Sequence, residues 1–339
     1  MKLNRYTRLL AVIGAIVPFF GTPETAQAAV LTIDNTDPGY SEPGGWATWQ
    51  GEGEEGTNYR YADGATATAT WSFTGVPAGN YMLSASYTPG GTRSTAVSYS
   101  VTGGIGTLGP VSQFGAANAD FQREVGGVDS ALYYMRLSNA AFEINDGTLT
   151  ATVSATGGTL IADAFRLESV RPDVQAIYVI DNENPIYNNG TYSETGGAWA
   201  LWGGDPGDHR SNFSYGGADS TAEFAFTGLQ DGTYRVSATW VAGGTRPDDA
   251  RFYVAGGPTI NVDQTINPGD DIFEDASWDD LFTVDVIGGA LTVNLENPAG
   301  GSGDVLIADA VRLELIPEPS LFSLLAAGLL GAFGFRRRQ

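Results

Sequence analysis

The side chains in this sequence that could do chemistry are tryptophans and carboxylates. His209 is the only histidine, and there is no cysteine. Thiol chemistry and thiolate metal sites are therefore excluded. No Ser-His-Asp set, His-rich metal motif or Gly-rich phosphate loop occurs either. A glycosidase needs only two carboxylates, which the 39 acidic residues could supply, so a polysaccharide hydrolase is one alternative.

Two tryptophan pairs of equal spacing are the strongest candidates for ligand binding. They are Trp46 with Trp49 and Trp199 with Trp202. Flat indole faces offer apolar platforms for sugar rings. Residues three apart on a strand point to opposite faces, so one member of each pair can be core while the other is exposed or covered by the following Gly-rich loop. The alternative is that both members pack in the core.

A second set of candidates pairs a buried acid with an arginine. Asp163 and Asp309 each lie in register with apolar residues of an Ala-Asp-Ala-x-Arg segment, and a buried carboxylate needs a partner. Arg93 and Arg246 each end a Gly-Gly-Thr-Arg segment. We therefore expect structural contacts between Asp163 and Arg93 and between Asp309 and Arg246, directly or through backbone amides.

Acidic residues also cluster between positions 261 and 280. Clustered oxygens can hold structural calcium, and the candidate ligands are Asp270, Asp271, Glu274 and Asp275. Their spacing fits no EF-hand loop, so a solvated loop without metal is the alternative. We expect no other cofactor.

These candidates recur because most of the chain is one unit present in two copies. The segment 160–168 returns as 306–314, and both copies open with Ile-Asp-Asn, at 33–35 and at 180–182. The sequence predicts one domain over residues 30–170 and another over residues 177–316. Duplication suits a binding or spacing module, where a second site adds avidity, better than an active site, so we expect no enzymatic activity.

Apolar and polar residues alternate with period two through both copies. Ala69, Trp71 and Phe73, for example, alternate with Thr70 and Ser72. No segment of the body has helical periodicity, and 46 glycines suit frequent turns. Many short strands with one apolar face are best satisfied by two sheets packed face to face. The predicted fold class is all-β: two tandem antiparallel, jelly-roll-like β-sandwiches in a rod, with a helix at each end of the chain.

Both ends of the chain are predicted to be export signals. Residues 1–28 combine a basic start, an apolar run and the small residues Ala26 and Ala28, which is typical of a secretory signal peptide removed by signal peptidase. Residues 317–339 form a short apolar stop-transfer segment with a positive anchor. Its landmarks are Pro317, Glu318, Pro319, Arg336, Arg337 and Arg338.

The order of these landmarks closely resembles the PEP-CTERM sorting signal. That resemblance implies export in a Gram-negative bacterium, transient insertion in the inner membrane and processing by an exosortase. It further implies a host that makes extracellular polysaccharide, with the protein at its cell surface or in its matrix.

The repeated body resembles the golvesin C-terminal-like, or xanthan-lyase carbohydrate-binding-like, domains. The resemblance rests on the opening Ile-Asp-Asn, an early Trp, Gly-x-Tyr-x-Val/Leu-x-Ala (79–85, 232–238), Val-x-Gln (111–113, 262–264) and the closing Ala-Asp-Ala-x-Arg. It implies a module that binds or organises polysaccharide. A structural or adhesive spacer with protein partners is the alternative.

The charge balance limits the partners. The chain has 17 basic and 39 acidic residues, for a net charge of −22. Such a surface repels nucleic acids and anionic lipid, so we expect no nucleic-acid partner. Neutral glycans and divalent cations remain compatible with it.

Overall fold

The computed structural model describes residues 29–50, 55–63, 67–115, 121–124, 131–182, 189–203, 212–217, 219–297 and 305–317. Every regular element in these ranges is a β-strand, and all strand pairs that form sheets are antiparallel. The all-β prediction is confirmed. No helix in the described part of the chain is long and apolar enough to cross a membrane. The predicted terminal helices lie outside the described residues.

Residues 30–170, called repeat 1 below, form three sheets. The strands are β1 (Val30–Ile33), β2 (Tyr40–Ser41), β3 (Ala47–Trp49), β4 (Tyr59–Asp63), β5 (Thr68–Thr74), β6 (Gly79–Ser86), β7 (Val97–Val101), β8 (Gly106–Val111), β9 (Phe121–Glu124), β10 (Ala131–Arg136), β11 (Phe142–Ile144), β12 (Thr148–Ala155), β13 (Thr159–Ala162) and β14 (Phe165–Val170). We call the sheets the interface sheet, with the strand order β1-β14-β6-β10-β9, the outer sheet, β2-β5-β12-β7-β8, and the small sheet, β13-β4-β3. Strand β11 also pairs with β6.

Residues 176–316, called repeat 2, form the same three sheets in the same order. The strands are β15 (Ala176–Asp181), β16 (Gly190–Thr195), β17 (Trp199–Gly203), β18 (Asn212–Gly216), β19 (Thr221–Thr227), β20 (Gly232–Thr239), β21 (Ala250–Tyr253), β22 (Thr259–Val262), β23 (Asp271–Phe273), β24 (Ala276–Val286), β25 (Ala290–Glu296), β26 (Leu306–Ala308) and β27 (Ala310–Ile316). The interface sheet has the order β15-β27-β20-β24-β23, the outer sheet β16-β19-β25-β21-β22 and the small sheet β17-β18-β26.

Each repeat has its own apolar core, as the alternation predicts. In β5 the side chains of Ala69, Trp71 and Phe73 are buried, whereas Ser72 and Thr74 are exposed. The core residues of repeat 1 lie between positions 33 and 167, and those of repeat 2 lie between positions 176 and 315. The two cores share no residue. The interface sheet and outer sheet of each repeat are therefore the two layers of one β-sandwich.

The second face of the interface sheets is also buried, which the sequence did not predict. Met82 and Ser84 point away from the core of repeat 1, yet they are only 3% and 5% exposed. Met82 packs in an apolar cluster with Ile177 and Trp278 of repeat 2. The two sandwiches thus pack against each other through their interface sheets, and the predicted rod of successive domains is replaced by a side-by-side pair.

Candidate functional site

One tryptophan of each pair is exposed and the other packs against the core. Trp49 and Trp202 are each 56% exposed. Trp46 and Trp199 are half-buried against the cores of their own repeats. The alternative that both members of a pair pack in the core is therefore not what the structure has. Leu201 is also exposed, at 60%, but on the opposite face of the strand from Trp202.

The exposed tryptophans stand on the edge strand of each small sheet, opposite a buried aromatic residue. Trp49 is the cross-strand partner of Tyr59, and Trp202 that of Phe213. Directly opposed residues of an antiparallel pair share one face of the sheet. Tyr59 and Phe213 are buried in the cores. Each exposed indole therefore continues the face of a core aromatic residue, on a regular strand rather than a loop.

The repeated arginine of each Gly-Gly-Thr-Arg segment lies over that aromatic residue. The Cζ of Arg93 is 5.6 Å from the ring centroid of Tyr59, and its Nη2 donates to the Tyr59 hydroxyl at 2.9 Å. The Cζ of Arg246 is 5.9 Å from the ring of Phe213. A guanidinium over a ring face is a favourable cation–π arrangement. We call Trp49, Tyr59 and Arg93, and likewise Trp202, Phe213 and Arg246, the aromatic patch of each repeat.

The structure does not bring Arg93 to Asp163. The buried Asp163 carboxylate accepts hydrogen bonds from the Ser86 hydroxyl at 2.7 Å and from the Glu55 amide at 3.1 Å. Burial raises the pKa of Asp163 well above its ordinary value, and these two hydrogen bonds oppose the rise. The predicted pair does not form because Arg93 donates to Tyr59 and to the Thr88 carbonyl instead.

In repeat 2, the described contacts of Arg246 and of Asp309 are made with other groups. Arg246 donates to the Thr245 hydroxyl at 3.2 Å and lies over Phe213. Asp309 is 1% exposed, and its backbone carbonyl accepts the Asn182 amide at 2.8 Å. No ion pair joins Arg246 to Asp309 within the described ranges. In both repeats, the arginine lies over the buried ring of the aromatic patch.

The four candidate calcium ligands face arginines and backbone amides. Asp271 pairs with Arg312 at 3.0 Å, and Asp270 accepts the Asp280 amide at 2.9 Å. Glu274 and Asp275 reach across to arginines of repeat 1. Among the described residues, no group of three or more acidic or histidine side chains could hold a metal. Calcium at Asp271, Glu274 or Asp275 would have to displace guanidinium groups.

Each repeat has a buried glutamine, the last residue of its Val-x-Gln motif, to which the sequence assigned no role. Gln113 is fully buried. Its side-chain Oε1 accepts from the Ile161 N–H at 2.9 Å, and its Nε2 donates to the Ile161 C=O at 3.0 Å. Gln264 bonds Ile307 in the same way, at 3.0 and 2.8 Å. Each glutamine thus extends the small sheet beyond its third strand and anchors the loop that follows.

Sequence reasoning also missed Tyr59 and Phe213 as parts of the site. The available signal was their position at the start of the strand after each exposed tryptophan. Other predicted residues lie outside the described ranges: His209, the signal-peptide residues Ala26 and Ala28, and, in the tail, Glu318, Pro319, Arg336, Arg337 and Arg338. Pro317 is the last described residue.

Comparison with protein-family models finds the PEP-CTERM protein-sorting motif at residues 315–338. This motif marks exported proteins that are anchored at the membrane before processing, and it implies processing by an exosortase. It confirms the interpretation of the C-terminal segment as a sorting signal. No curated protein matches the chain.

Several solved structures are similar at low identity. A xanthan lyase of Paenibacillus is 18% identical with a TM-score of 0.36, over 82% of this chain and 25% of that one. The ANX2 ectodomain of Arabidopsis thaliana is 9% identical with a TM-score of 0.34, over 78% and 84%. The isomalto-dextranase of Arthrobacter globiformis T6, complexed with panose, is 12% identical with a TM-score of 0.30, over 75% and 36%. The chain therefore spans only a quarter of the length of the xanthan lyase.

Proposed function

We propose that this exported protein is a non-catalytic binder of extracellular polysaccharide at the surface or in the matrix of a Gram-negative bacterium. The observation that carries the proposal is the aromatic patch, which both repeats build at the same place with the same two contacts, the cross-strand aromatic pair and the guanidinium over the ring. An indole that is more than half exposed adds little to folding. Its exposure at the same strand position in both repeats is best accounted for by a ligand.

The chemistry of the patch suits a neutral sugar. The apolar C–H face of a pyranose can lie on the indole, and the neighbouring guanidinium offers donors to hydroxyl oxygens. The net charge of −22 opposes a polyanionic ligand by long-range repulsion. A neutral polysaccharide can engage both patches of one molecule, so the second patch raises the avidity.

The test is binding of the full exported chain to the host's matrix polysaccharide, measured by calorimetry or co-sedimentation. Trp49→Ala or Trp202→Ala should each weaken binding by about tenfold, which corresponds to about 1.4 kcal/mol, and the double variant should abolish it. Ile287→Ala is the matched control, because Ile287 is 86% exposed and lies outside both patches.

Unchanged binding by a folded double variant would disprove the role of the patches. Absence of any glycan binding by the wild-type chain would instead favour the structural or adhesive spacer. Release of reducing ends from the same polysaccharide would indicate the hydrolase.

A further inference from the structure

A cavity of about 290 Å³ opens at the end of repeat 1 that lies away from its aromatic patch. It lies between the β7–β8 turn and the segment joining β11 to β12. Strand β12 starts at this cavity and leads to β13, whose Thr159 is hydrogen-bonded to the turn that carries Arg93. The cavity and the aromatic patch are therefore separated by the length of the sandwich.

The cavity has an aliphatic floor and a polar rim. Ile105, Ile144 and Leu149 line its apolar part, and the latter two belong to the core. Such a floor can accept the C–H face of a ring, while groups on the rim can meet its substituents. The polar residues lining the cavity are Thr102, Glu143, Asn145, Asp146 and Thr148.

Several rim groups retain hydrogen-bonding capacity. Asp146 Oδ1 accepts the Thr148 amide at 3.0 Å, and Thr102 Oγ1 accepts the Thr150 amide at 2.8 Å. The side chains of Glu143 and Asn145 make no hydrogen bond within the described part of the chain. Carboxylate and amide oxygens that are not used by the protein can accept from ligand hydroxyls.

Repeat 2 shows that the fold does not need this polar turn. Ile144 pairs with Gly79 as Val286 pairs with Gly232, and Leu149 pairs with Phe73 as Leu291 pairs with Phe226. This register aligns Asn145, Asp146 and Thr148 with Ile287, Gly288 and Ala290. Repeat 2 therefore joins the equivalent strands without polar side chains at these three positions, so connecting the strands does not require Asn145, Asp146 and Thr148.

We propose that this cavity is a second sugar site, which takes a single neutral pyranose unit and is independent of the aromatic patches. The volume is near the lower limit of small-ligand pockets and matches one ring. The carboxylates of Glu143 and Asp146 accept from hydroxyls and repel an acidic sugar. A divalent ion is disfavoured because the described acidic side chains do not converge in a group of three.

The test uses the full chain with Trp49→Ala and Trp202→Ala, so that only the cavity remains. Glucose, galactose, mannose and rhamnose are titrated separately, and amide chemical shifts are followed by NMR. At least one of these sugars should shift the amides of residues 102–105 and 143–149 and saturate in the millimolar range. Adding Asn145→Ile, Asp146→Gly and Thr148→Ala, the turn of repeat 2, should weaken that binding at least tenfold.

The result is separable from the function of the patches, since both tryptophans are absent throughout. Glu143→Ala, a single change on an exposed strand position, gives a second test if the grafted turn impairs folding. Failure of all four sugars to shift these amides would overturn the proposal. So would a response to calcium chloride alone, or unchanged sugar binding in both variants.

Discussion

Arg136 of repeat 1 and Glu274 of repeat 2 form a bidentate ion pair in the interface between the repeats. Arg136 Nη2 lies 2.6 Å from Oε1 and 2.7 Å from Oε2 of Glu274. The two side chains are 3% and 2% exposed. Glu274 and Asp275 occupy the hairpin tip between β23 and β24 with φ of 52° and 64°, a region that non-glycine residues rarely adopt. The ion pairs of the tip offset this backbone strain.

The same hairpin supplies carboxylates that form ion pairs with equivalent arginines of both repeats. Asp275 at its tip pairs with Arg166 at 2.7 Å, and Asp271 on β23 pairs with Arg312 at 3.0 Å. Arg166 and Arg312 are the closing arginines of the two Ala-Asp-Ala-x-Arg segments. One acidic hairpin therefore joins the last strands of the two sandwiches and holds the repeats, with their aromatic patches, in a fixed relation.

Removing the Glu274 carboxylate should destabilise the protein strongly. Glu274→Ala leaves the Arg136 guanidinium buried without its bidentate partner, which costs about 3–5 kcal/mol. The free energy of unfolding in urea measures this change. Glu296→Ala is the control, because Glu296 pairs with Arg251 at the surface, where such pairs contribute about 0–1 kcal/mol. Equal losses in the two variants would contradict a special role for the hairpin tip.

The interface should also make stability depend on pH through Glu168. Burial, with repulsion from Glu274, raises the pKa of Glu168 to about 7 against the attraction of Arg166. A carboxyl whose pKa is higher in the folded state stabilises folding most below its unfolded pKa of about 4.3. That contribution declines as the pH rises and is lost above about 7.

The measurement is the melting temperature of the wild type and Glu168→Gln between pH 4 and pH 8. The variant cannot titrate at this position, so its melting temperature relative to the wild type should rise steadily between about pH 4.3 and pH 7 and level off above. A difference that stays constant across this range would show that Glu168 titrates normally in the folded protein.

Gln113 should control the order of the small sheet in repeat 1. Gln113→Ala leaves the buried N–H and C=O of Ile161 without their partners, at a cost of about 1–3 kcal/mol for each group. Hydrogen exchange at the Ile161 amide should accelerate at least tenfold. The Ile307 amide, bonded to Gln264 in repeat 2, is the internal control and should keep its protection. Equal acceleration at both amides would point to global unfolding.

The sequence predicted those features that depend on the period of a strand. Alternation located the strands and their core faces, and the spacing of Trp46 and Trp49 allowed one of the two to be exposed without deciding against the alternative that both pack in the core. Alternation could not show that the face of β6 that carries Met82 is covered, because a face with Ser84 and Ser86 has the pattern of a solvated surface. It also could not show whether Arg93 prefers a carboxylate or a ring, since that depends on three-dimensional distance.

Met82 and Leu83 are adjacent on β6 but should affect different parts of the molecule. Met82 packs against repeat 2, whereas Leu83 packs in the core of repeat 1. Both are nearly fully buried, so each substitution by alanine should cost about 2–5 kcal/mol. Met82→Ala weakens the contact between the repeats, and hydrogen exchange should therefore accelerate on β14 and β15 together. Leu83→Ala should accelerate exchange throughout repeat 1 and spare the outer sheet of repeat 2. If Met82→Ala left β15 as protected as in the wild type, the Met82 side chain would not contribute to the contact between the repeats.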